Sequence, residues 1–259
     1  MKKAYYTLLV SLVLCMACEF KLKPNEEEEQ SARIEVQRYD RLESRYLTTG
    51  DFSALQQMNT DYPMETRMLI EDMMKLGEVS DPEINSKFLR FFQDTLLQTI
   101  IMDAEAEFAN MKDINRDLDK AVAQLEKLLP GIKIPVFYTQ IGALNQSIVV
   151  GDQMVGISLD KYLGSDYQPY QCYYSEDQRK SMARQFIVPD AISFYLLSLY
   201  PLQNYEETTQ EERDMHMGRI MWVTNKALGR QFFKTPFTAK VEQYMRQHPK
   251  TSIKSLLTD

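Results

Sequence analysis

Few residues in this sequence are of the types that carry chemistry at enzyme sites. The chain has two histidines, His216 and His248, and three cysteines among 259 residues. This supply is too small for a His-rich zinc site, a zinc finger or a disulfide framework. A Ser-His-Asp triad would need one of the two histidines, and the chain has no Gly-x-Ser-x-Gly nucleophile elbow for either to serve. The nine glycines form no phosphate-binding motif.

Carboxylates are the remaining groups that could do catalysis. Asp160, Asp166, Asp177 and Asp190 could supply a pair for glycoside chemistry, which depends on the spatial separation of two carboxyl groups. Cys172 could act as a thiol nucleophile, but the sequence marks no base for it, and an inert cysteine is the simpler interpretation. The sequence therefore predicts no catalytic residue, no metal site and no cofactor, and it leaves a carboxylate-based hydrolase as the alternative.

The densest group of candidate binding residues lies between positions 160 and 174, where tyrosines alternate with charges. Tyrosine supplies a large contact area at a low cost in conformational entropy, which suits recognition of proteins or glycans. In the competing interpretation the rings pack this loop onto the helices beneath it. The candidate interaction residues are Asp160, Lys161, Tyr162, Asp166, Tyr167 and Tyr170.

The elements that must position these residues are mostly helices. Only nine glycines and ten prolines occur in the chain, and this scarcity favours long helices over turn-rich sheets. Apolar residues share one helical face from Asp113 to Leu129. Short β-rich runs at 134–138, 147–150 and 154–159 predict a small sheet with a hairpin in the middle of the chain. Further helices are predicted at 34–49, 51–58, 64–76, 84–99, 188–200, 209–228, 239–246 and 252–257.

The first 31 residues are predicted to lie outside the folded domain. After a basic start, residues 4–17 are apolar but too few to cross a hydrocarbon core that needs about 20 residues. Residues 1–17 are therefore predicted to be a signal peptide. Ala17 before Cys18 resembles a bacterial lipobox and predicts lipidation at Cys18, the alternative being an ordinary signal with a chance cysteine. Residues 18–31 are predicted to be a flexible acidic tether, and residues 32–259 a single globular domain.

Two central blocks of sequence resemble the gliding-motility lipoprotein B family of the Bacteroidota. The blocks cover residues 148–171 and 186–201, and weaker similarity covers 36–82 and 244–257. The segment 205–237 departs from the family pattern, because it is shorter and has Met217-Gly218-Arg219 where family members carry a Glu-Gly-Lys motif. Coverage nevertheless extends over most of the chain after the signal peptide.

The family looks related to zinc metallopeptidases, so the resemblance implies a zincin-like fold. A zincin holds its metal with two histidines one helical turn apart, a glutamate base and a third ligand downstream. The helix that matches the active helix offers Pro189, Asp190, Phe194 and Tyr195 instead, and Met217 stands where the third ligand is expected. The predicted fold class is therefore α+β, mostly α-helical, with a degenerate zincin-like single domain.

The resemblance implies a non-enzymatic lipoprotein that is associated with gliding motility or type IX secretion. Its lipid would anchor it to the outer membrane, on the periplasmic or the cell-surface face, and it would act by contacting another envelope protein. Nucleic acid is not an expected partner, because the chain has a net charge of −7 and no run of clustered basic residues. The alternative is an envelope hydrolase or glycan-binding lipoprotein that uses the carboxylates and tyrosines of residues 160–177.

Overall fold

Helices dominate the part of the chain described by the computed structural model, residues 33–258. About 61% of the structure is helical and one small mixed sheet is present, which confirms the predicted α+β class. The predicted signal peptide, the lipidation site at Cys18 and the tether up to residue 31 lie outside the described residues. From Arg33 onward the chain forms one compact unit.

Within residues 33–258, six α-helices precede the sheet and five follow it. Before the sheet they are α1 (Tyr39–Thr49), α2 (Phe52–Asp61), α3 (Pro63–Arg67), α4 (Ile84–Phe91), α5 (Thr95–Glu107) and α6 (Lys112–Leu128), with a π-helical turn at Met68–Met73 after α3. After the sheet they are α7 (Glu176–Arg179), α8 (Ile187–Leu199), α9 (Gln210–Ala227), α10 (Pro236–Gln247) and α11 (Ile253–Thr258).

Two predicted helices differ from those observed, for local reasons. The helix predicted at 84–99 is two helices, because the Asp94 side chain accepts hydrogen bonds from the backbone N–H groups of Leu96 and Leu97 and so starts α5 as a new helix. The helix predicted at 34–49 begins only at Tyr39, because Gln37 instead forms a parallel β-bridge with Tyr138. The helix predicted at 209–228 is confirmed as α9, and a capping box formed by Thr209 and Glu212 starts it.

The sheet has three strands, β1 (Val136–Gln140), β2 (Ile148–Gly151) and β3 (Met154–Ser158). Strand β3 lies in the centre, antiparallel to β2 in the predicted hairpin and parallel to β1. Helix α8 packs against β2 and β3, and α1 packs against β1. The sheet therefore lies between the helices that come first and those that come last in the chain.

Aromatic and aliphatic side chains fill the core around this sheet. The apolar face predicted for α6 is buried, through Ile114, Leu118, Val122 and Leu125. Helix α9 packs on α6, α8, α10 and α11 and so joins the second half of the molecule. None of the helices in residues 33–258 combines the length and the apolar character that a membrane span requires.

Candidate functional site

The tyrosine-rich segment, residues 160–174, starts directly after β3 and is anchored by the carboxylate of Asp160. This side chain is fully buried, and it accepts hydrogen bonds from the backbone N–H groups of Gly142 at 2.8 Å and Leu144 at 2.5 Å. Ala143 and Leu144 have positive φ angles of 50° and 62°, a conformation that costs energy for residues with a side chain. Asp160 stabilises this strained loop, while burial raises the pKa of its carboxyl group.

Two of the candidate tyrosines lie in the interior instead of facing solvent. The Tyr170 hydroxyl donates to the backbone carbonyl of Asp160 at 2.5 Å and accepts from the backbone N–H of Leu163 at 2.9 Å. The Tyr162 hydroxyl donates to the carboxylate of Asp190 at 2.9 Å. Both rings are buried, and burial raises the pKa of both hydroxyls. Each hydroxyl has found an internal partner, which is the usual condition for burying tyrosine.

The expectation of a surface loop therefore needs correction for half of the candidate interaction residues. Asp160, Tyr162 and Tyr170 are at most 1% exposed, so their side chains pack and hydrogen-bond inside the domain. For these three, the competing interpretation made from the sequence, that the segment packs onto the helices beneath, describes the structure.

The other candidates reach the surface in part. Asp166 is exposed, and Tyr167 is half-buried with its hydroxyl donating to Asp103 at 2.6 Å. The ammonium of Lys161 donates to the Tyr174 hydroxyl at 2.8 Å and also lies 4.1 Å from the centre of that ring. Tyr173, which belongs to this segment but was not one of the six named candidates, is 59% exposed and is the ring of the segment most available for a contact. No sequence signal distinguishes it, because the segment's short 3₁₀ turn sets which ring points outward.

Helix α8 presents apolar and hydrogen-bonded side chains at the positions that match the metallopeptidase helix. Pro189 and Tyr195 are buried, and Phe194 is partly exposed. Asp190 is largely buried, and this burial raises the pKa of its carboxyl group to about 7, although the hydrogen bond from Tyr162 opposes the rise. Within residues 33–258 no three His, Cys, Asp or Glu side chains are grouped so that they could hold a metal ion.

His216 on α9 is buried. It directly precedes Met217-Gly218-Arg219, which stands where family members carry a Glu-Gly-Lys motif. Its Nε2 atom has no hydrogen-bond partner among the described residues, and burial lowers the pKa of the imidazole. A buried neutral histidine next to Met217 has the character of a core residue.

A separate cluster of buried polar side chains around Glu43 lies where α1 meets the end of β1. None of these residues was predicted from the sequence. Glu43 is fully buried, and its Oε2 accepts a hydrogen bond from the backbone N–H of Ile141 at 2.7 Å. Burial raises the pKa of Glu43 well above its ordinary value, against the effect of the Ile141 N–H. Its Oε1, the Tyr138 hydroxyl and the Gln140 Oε1 are buried without a hydrogen-bond partner among the described residues.

A sequence signal for Glu43 did exist. It lies on the same helical face as Tyr39, Tyr46 and Leu47, at spacings of four, three and four residues, and all three of those side chains are buried. A carboxyl group within such an apolar face has to be neutral or hydrogen-bonded. Burial therefore disfavours the charged form of Glu43 inside the fold.

Together the fold and these groups define a helical α+β domain in which the buried side chains of Asp160, Tyr162 and Tyr170 hold internal segments in place. Residues 20–232 of the chain match the family model described as gliding motility protein GldB. Because this match covers well over half of the chain, the protein belongs to the GldB family. The match includes both central blocks, 148–171 and 186–201, and confirms the resemblance that they carry; residues 244–257 lie beyond it. No curated protein and no solved structure matches this chain.

Proposed function

We propose that this protein is a lipid-anchored component of the outer membrane that supports gliding motility or type IX secretion by contacting another envelope protein. The observation that carries the proposal is membership of the GldB family, which makes it a gliding-motility-associated protein. The lipid anchor, the outer-membrane location and the absence of catalysis are the further steps that we propose.

The anchor is proposed from the sequence around Cys18. An apolar run, a small Ala17 and a following polar segment are the features that a lipoprotein signal requires. The acyl chains of a bacterial lipoprotein give firm membrane attachment, whereas one chain alone binds weakly.

Changing Cys18 tests the anchor directly. We expect Cys18→Ser to leave the membrane fraction or to remain uncleaved, while Cys172→Ser, which removes the other cysteine of the mature chain, fractionates as the native protein does. A Cys18→Ser protein that is cleaved normally and stays with the membranes would contradict lipidation. Fractionation followed by immunoblotting measures both outcomes.

The side chains of α8 support a non-enzymatic role, because α8 matches the active helix of a metallopeptidase in sequence position. Pro189 and Phe194, which have no zinc-binding atom, stand where zincins have ligands. Tyr195 is not one of the usual His, Cys, Asp or Glu ligands, and its hydroxyl donates to the backbone carbonyl of Lys133 at 2.5 Å. Asp190 has carboxylate oxygens that could bind a metal ion, but one of them accepts a hydrogen bond from the Tyr162 hydroxyl. We accordingly propose that the domain is a degenerate zincin-like fold. Superposing an experimental structure of this chain on a zincin would test that relationship.

The contact surface that we propose is the exposed part of the tyrosine-rich segment. Asp166 and Tyr173 reach solvent, and Tyr167 and Lys161 do so in part. Aromatic side chains next to charges have the composition of interaction hot spots. The buried members, Tyr162 and Tyr170, hold this surface in one conformation.

One observation favours the alternative of an envelope hydrolase. The carboxyl group of Asp190 has a pKa of about 7, close to the value that suits a general acid at neutral pH. If this alternative holds, the purified domain should cleave an envelope glycan or glycan fragment, and Asp190→Asn should abolish that cleavage. The same activity in the native protein and in Asp190→Asn would exclude Asp190 as the catalytic group.

A further inference from the structure

Two adjoining depressions on the helical half of the molecule form an elongated groove, which we call the cationic groove. The first depression lies between the end of α9 and the start of α10 and has a volume of about 910 Å³. The second lies between α6 and the segment that leads into α8 and has a volume of about 780 Å³. Arg230 lines both depressions, so the two adjoin at this side chain.

The loop between α9 and α10, which carries the central part of the groove, is held rigidly by Asn225. The Asn225 side-chain amide donates to the carbonyl of Phe233 at 2.8 Å, and its oxygen accepts from the backbone N–H groups of Phe232 and Phe233, both at 2.9 Å. The backbone N–H of Arg230 in turn donates to the Asn225 carbonyl at 3.2 Å. Asn225 is itself buried. The groove is therefore formed before any ligand binds, which reduces the entropy lost on binding.

Three exposed cations in the groove have no ion-pair partner among residues 33–258: Lys120 on α6, Arg230 at the junction and Lys234 before α10. They contrast with neighbouring groove cations whose charge is already compensated, such as Arg184, which pairs with Asp113 at 2.7 Å. The three free charges are notable in a chain whose net charge is −7.

Among the described residues, Glu242 is the one carboxylate that lines the first depression, and its charge is already neutralised. Glu242 accepts hydrogen bonds from the Trp222 indole N–H at 2.6 Å and from the Lys226 ammonium at 3.1 Å, and it also pairs with Arg246 at 3.2 Å. These contacts hold the pKa of Glu242 below its ordinary value. The local field along this part of the groove is therefore positive.

The surface under the charges is partly aromatic. Trp222 and Phe233 line the first depression, and the ammonium of Lys226 lies 4.7 Å from the centre of the Trp222 ring. A ligand that fits must offer negative charges at intervals and apolar groups between them. An extended peptide whose acidic and apolar side chains alternate offers both kinds of group along its length, the acidic ones on one face of the strand and the apolar ones on the other.

We propose that the cationic groove binds an acidic, extended polypeptide segment of an envelope partner, an inference that rests on the proposed function and names the kind of partner. Charge complementarity with Lys120, Arg230 and Lys234 steers the segment to the groove and fixes its register. Polynucleotides fit less well, because their charge density far exceeds three free cations and the acidic remainder of the domain repels them.

The test uses purified full-length protein and a fluorescent peptide of about 12 residues, roughly 40 Å when extended, in which Glu and Leu alternate. A matched peptide has Gln in place of every Glu. The test variant carries Lys120→Ala, Arg230→Ala and Lys234→Ala together. Fluorescence anisotropy is measured at low and at high salt, because screening weakens contacts between exposed charges.

The control variant carries Lys133→Ala, Lys250→Ala and Lys254→Ala, three exposed lysines outside the groove. It loses the same charge as the test variant, so it separates a local site from a general effect of net charge. We expect the test variant to bind the acidic peptide at least about tenfold more weakly at low salt, and the control variant to stay within about twofold of the native protein.

Several results would overturn the proposal. These are equal weakening in both variants, equal binding of the Gln peptide, no binding by the native protein, or tighter binding of a single-stranded oligonucleotide or of phosphatidylglycerol vesicles than of the acidic peptide. Melting curves of both variants establish that they are folded. Fractionation of the Cys18→Ser protein tests anchoring without the groove, so failure of the groove and failure of the proposed function are separate results.

Discussion

At the scale of single residues, buried carboxyl groups explain how the tyrosine-rich segment is held. Asp160 accepts two hydrogen bonds from a loop in which Ala143 and Leu144 adopt left-handed backbone conformations. This conformation is strained because neither residue is a glycine. Removing a partner from a buried hydrogen-bonded group costs more than a hydrogen bond contributes, because the remaining polar groups lose their solvation.

Asp160→Ala should therefore lower the free energy of unfolding by about 2–4 kcal/mol, since it leaves the buried N–H of Gly142 and the partly buried N–H of Leu144 without an acceptor. Asp160→Asn retains one acceptor oxygen and should cost less. The exposed Asp166 gives a matched control, and Asp166→Ala should change stability by no more than about 0.5 kcal/mol. Urea denaturation measures all three. Equal stability of the Asp160→Ala and Asp166→Ala proteins would mean that the loop does not depend on this carboxylate.

Asp190 makes a prediction about pH. Its pKa is raised from 3.8 to about 7 in the folded protein, so the folded state binds the proton more tightly than the unfolded state. Its contribution to stability is then fully present below about pH 4 and is lost as the pH rises through about 7. Between these limits the native protein should lose roughly 1.4 kcal/mol per pH unit relative to Asp190→Asn, which cannot titrate.

Unfolding of both proteins in urea at pH 4.5, 5.5 and 6.5 isolates this contribution, because every other carboxyl group titrates in both. A difference in stability between native protein and Asp190→Asn that stays constant across these pH values would show that the pKa of Asp190 is not raised.

At the scale of elements, the tyrosine-rich segment combines rings that pack with rings that face outward. Tyr170 contacts Tyr167 and Tyr174 edge to face, with ring centres 5.0 and 5.9 Å apart, and forms the centre of this small aromatic group. Tyr173 follows in the next short turn and is mostly exposed. The segment therefore places buried rings, which stabilise the fold, next to an exposed ring, which belongs to the contact surface that we propose.

Tyr170→Ala should destabilise the domain by about 3–5 kcal/mol, because it removes a buried ring and leaves a cavity. Tyr167→Ala should cost less, since that ring is half-buried. Tyr173→Ala is the matched exposed change and should alter stability by about 0.5 kcal/mol or less. If the segment is a recognition surface, Tyr173→Ala should still lose the partner in a pull-down from envelope extracts. A stable Tyr173→Ala protein that captures the partner as well as the native protein does would remove this ring from the interface.

The sheet is a second element-scale feature, and its pairing depends on one glycine. A Cβ atom on Gly156 would come within 2.5 Å of the Tyr138 hydroxyl, so the Tyr138 ring can lie across β3 only because no side chain is there. Tyr138 and Gly156 are register partners in the parallel pairing of β1 with β3.

At the scale of the whole molecule, we expect a fold whose stability does not depend on zinc. A structural ion stabilises a fold through its ligands, and α8 offers none of the usual zinc-binding pairs. Purified protein should contain far less than one zinc per chain by elemental analysis, and treatment with a chelator should leave its Tm unchanged. About one zinc per chain after dialysis, with a lower Tm on chelation, would restore a metallopeptidase-like site.

Several features followed from the sequence alone because they depend on local patterns. The amphipathic face of α6 follows from apolar residues at helical spacing, and the hairpin of β2 and β3 follows from two β-rich runs joined by a short turn. The start of α9 follows from the capping box at Thr209. The two central blocks, 148–171 and 186–201, led to the family that the match over residues 20–232 then established.

Other features were decided only by the tertiary structure, because they depend on residues far apart in the chain. Strand β1 pairs with β3 and not with its sequence neighbour β2, and Gln37 joins the other edge of β1. Composition could not tell which tyrosines of the segment face inward, since that depends on acceptors such as Asp190, 28 residues from Tyr162. The cationic groove is equally non-local: Lys120 and Arg230 share one depression only because α9 packs against α6.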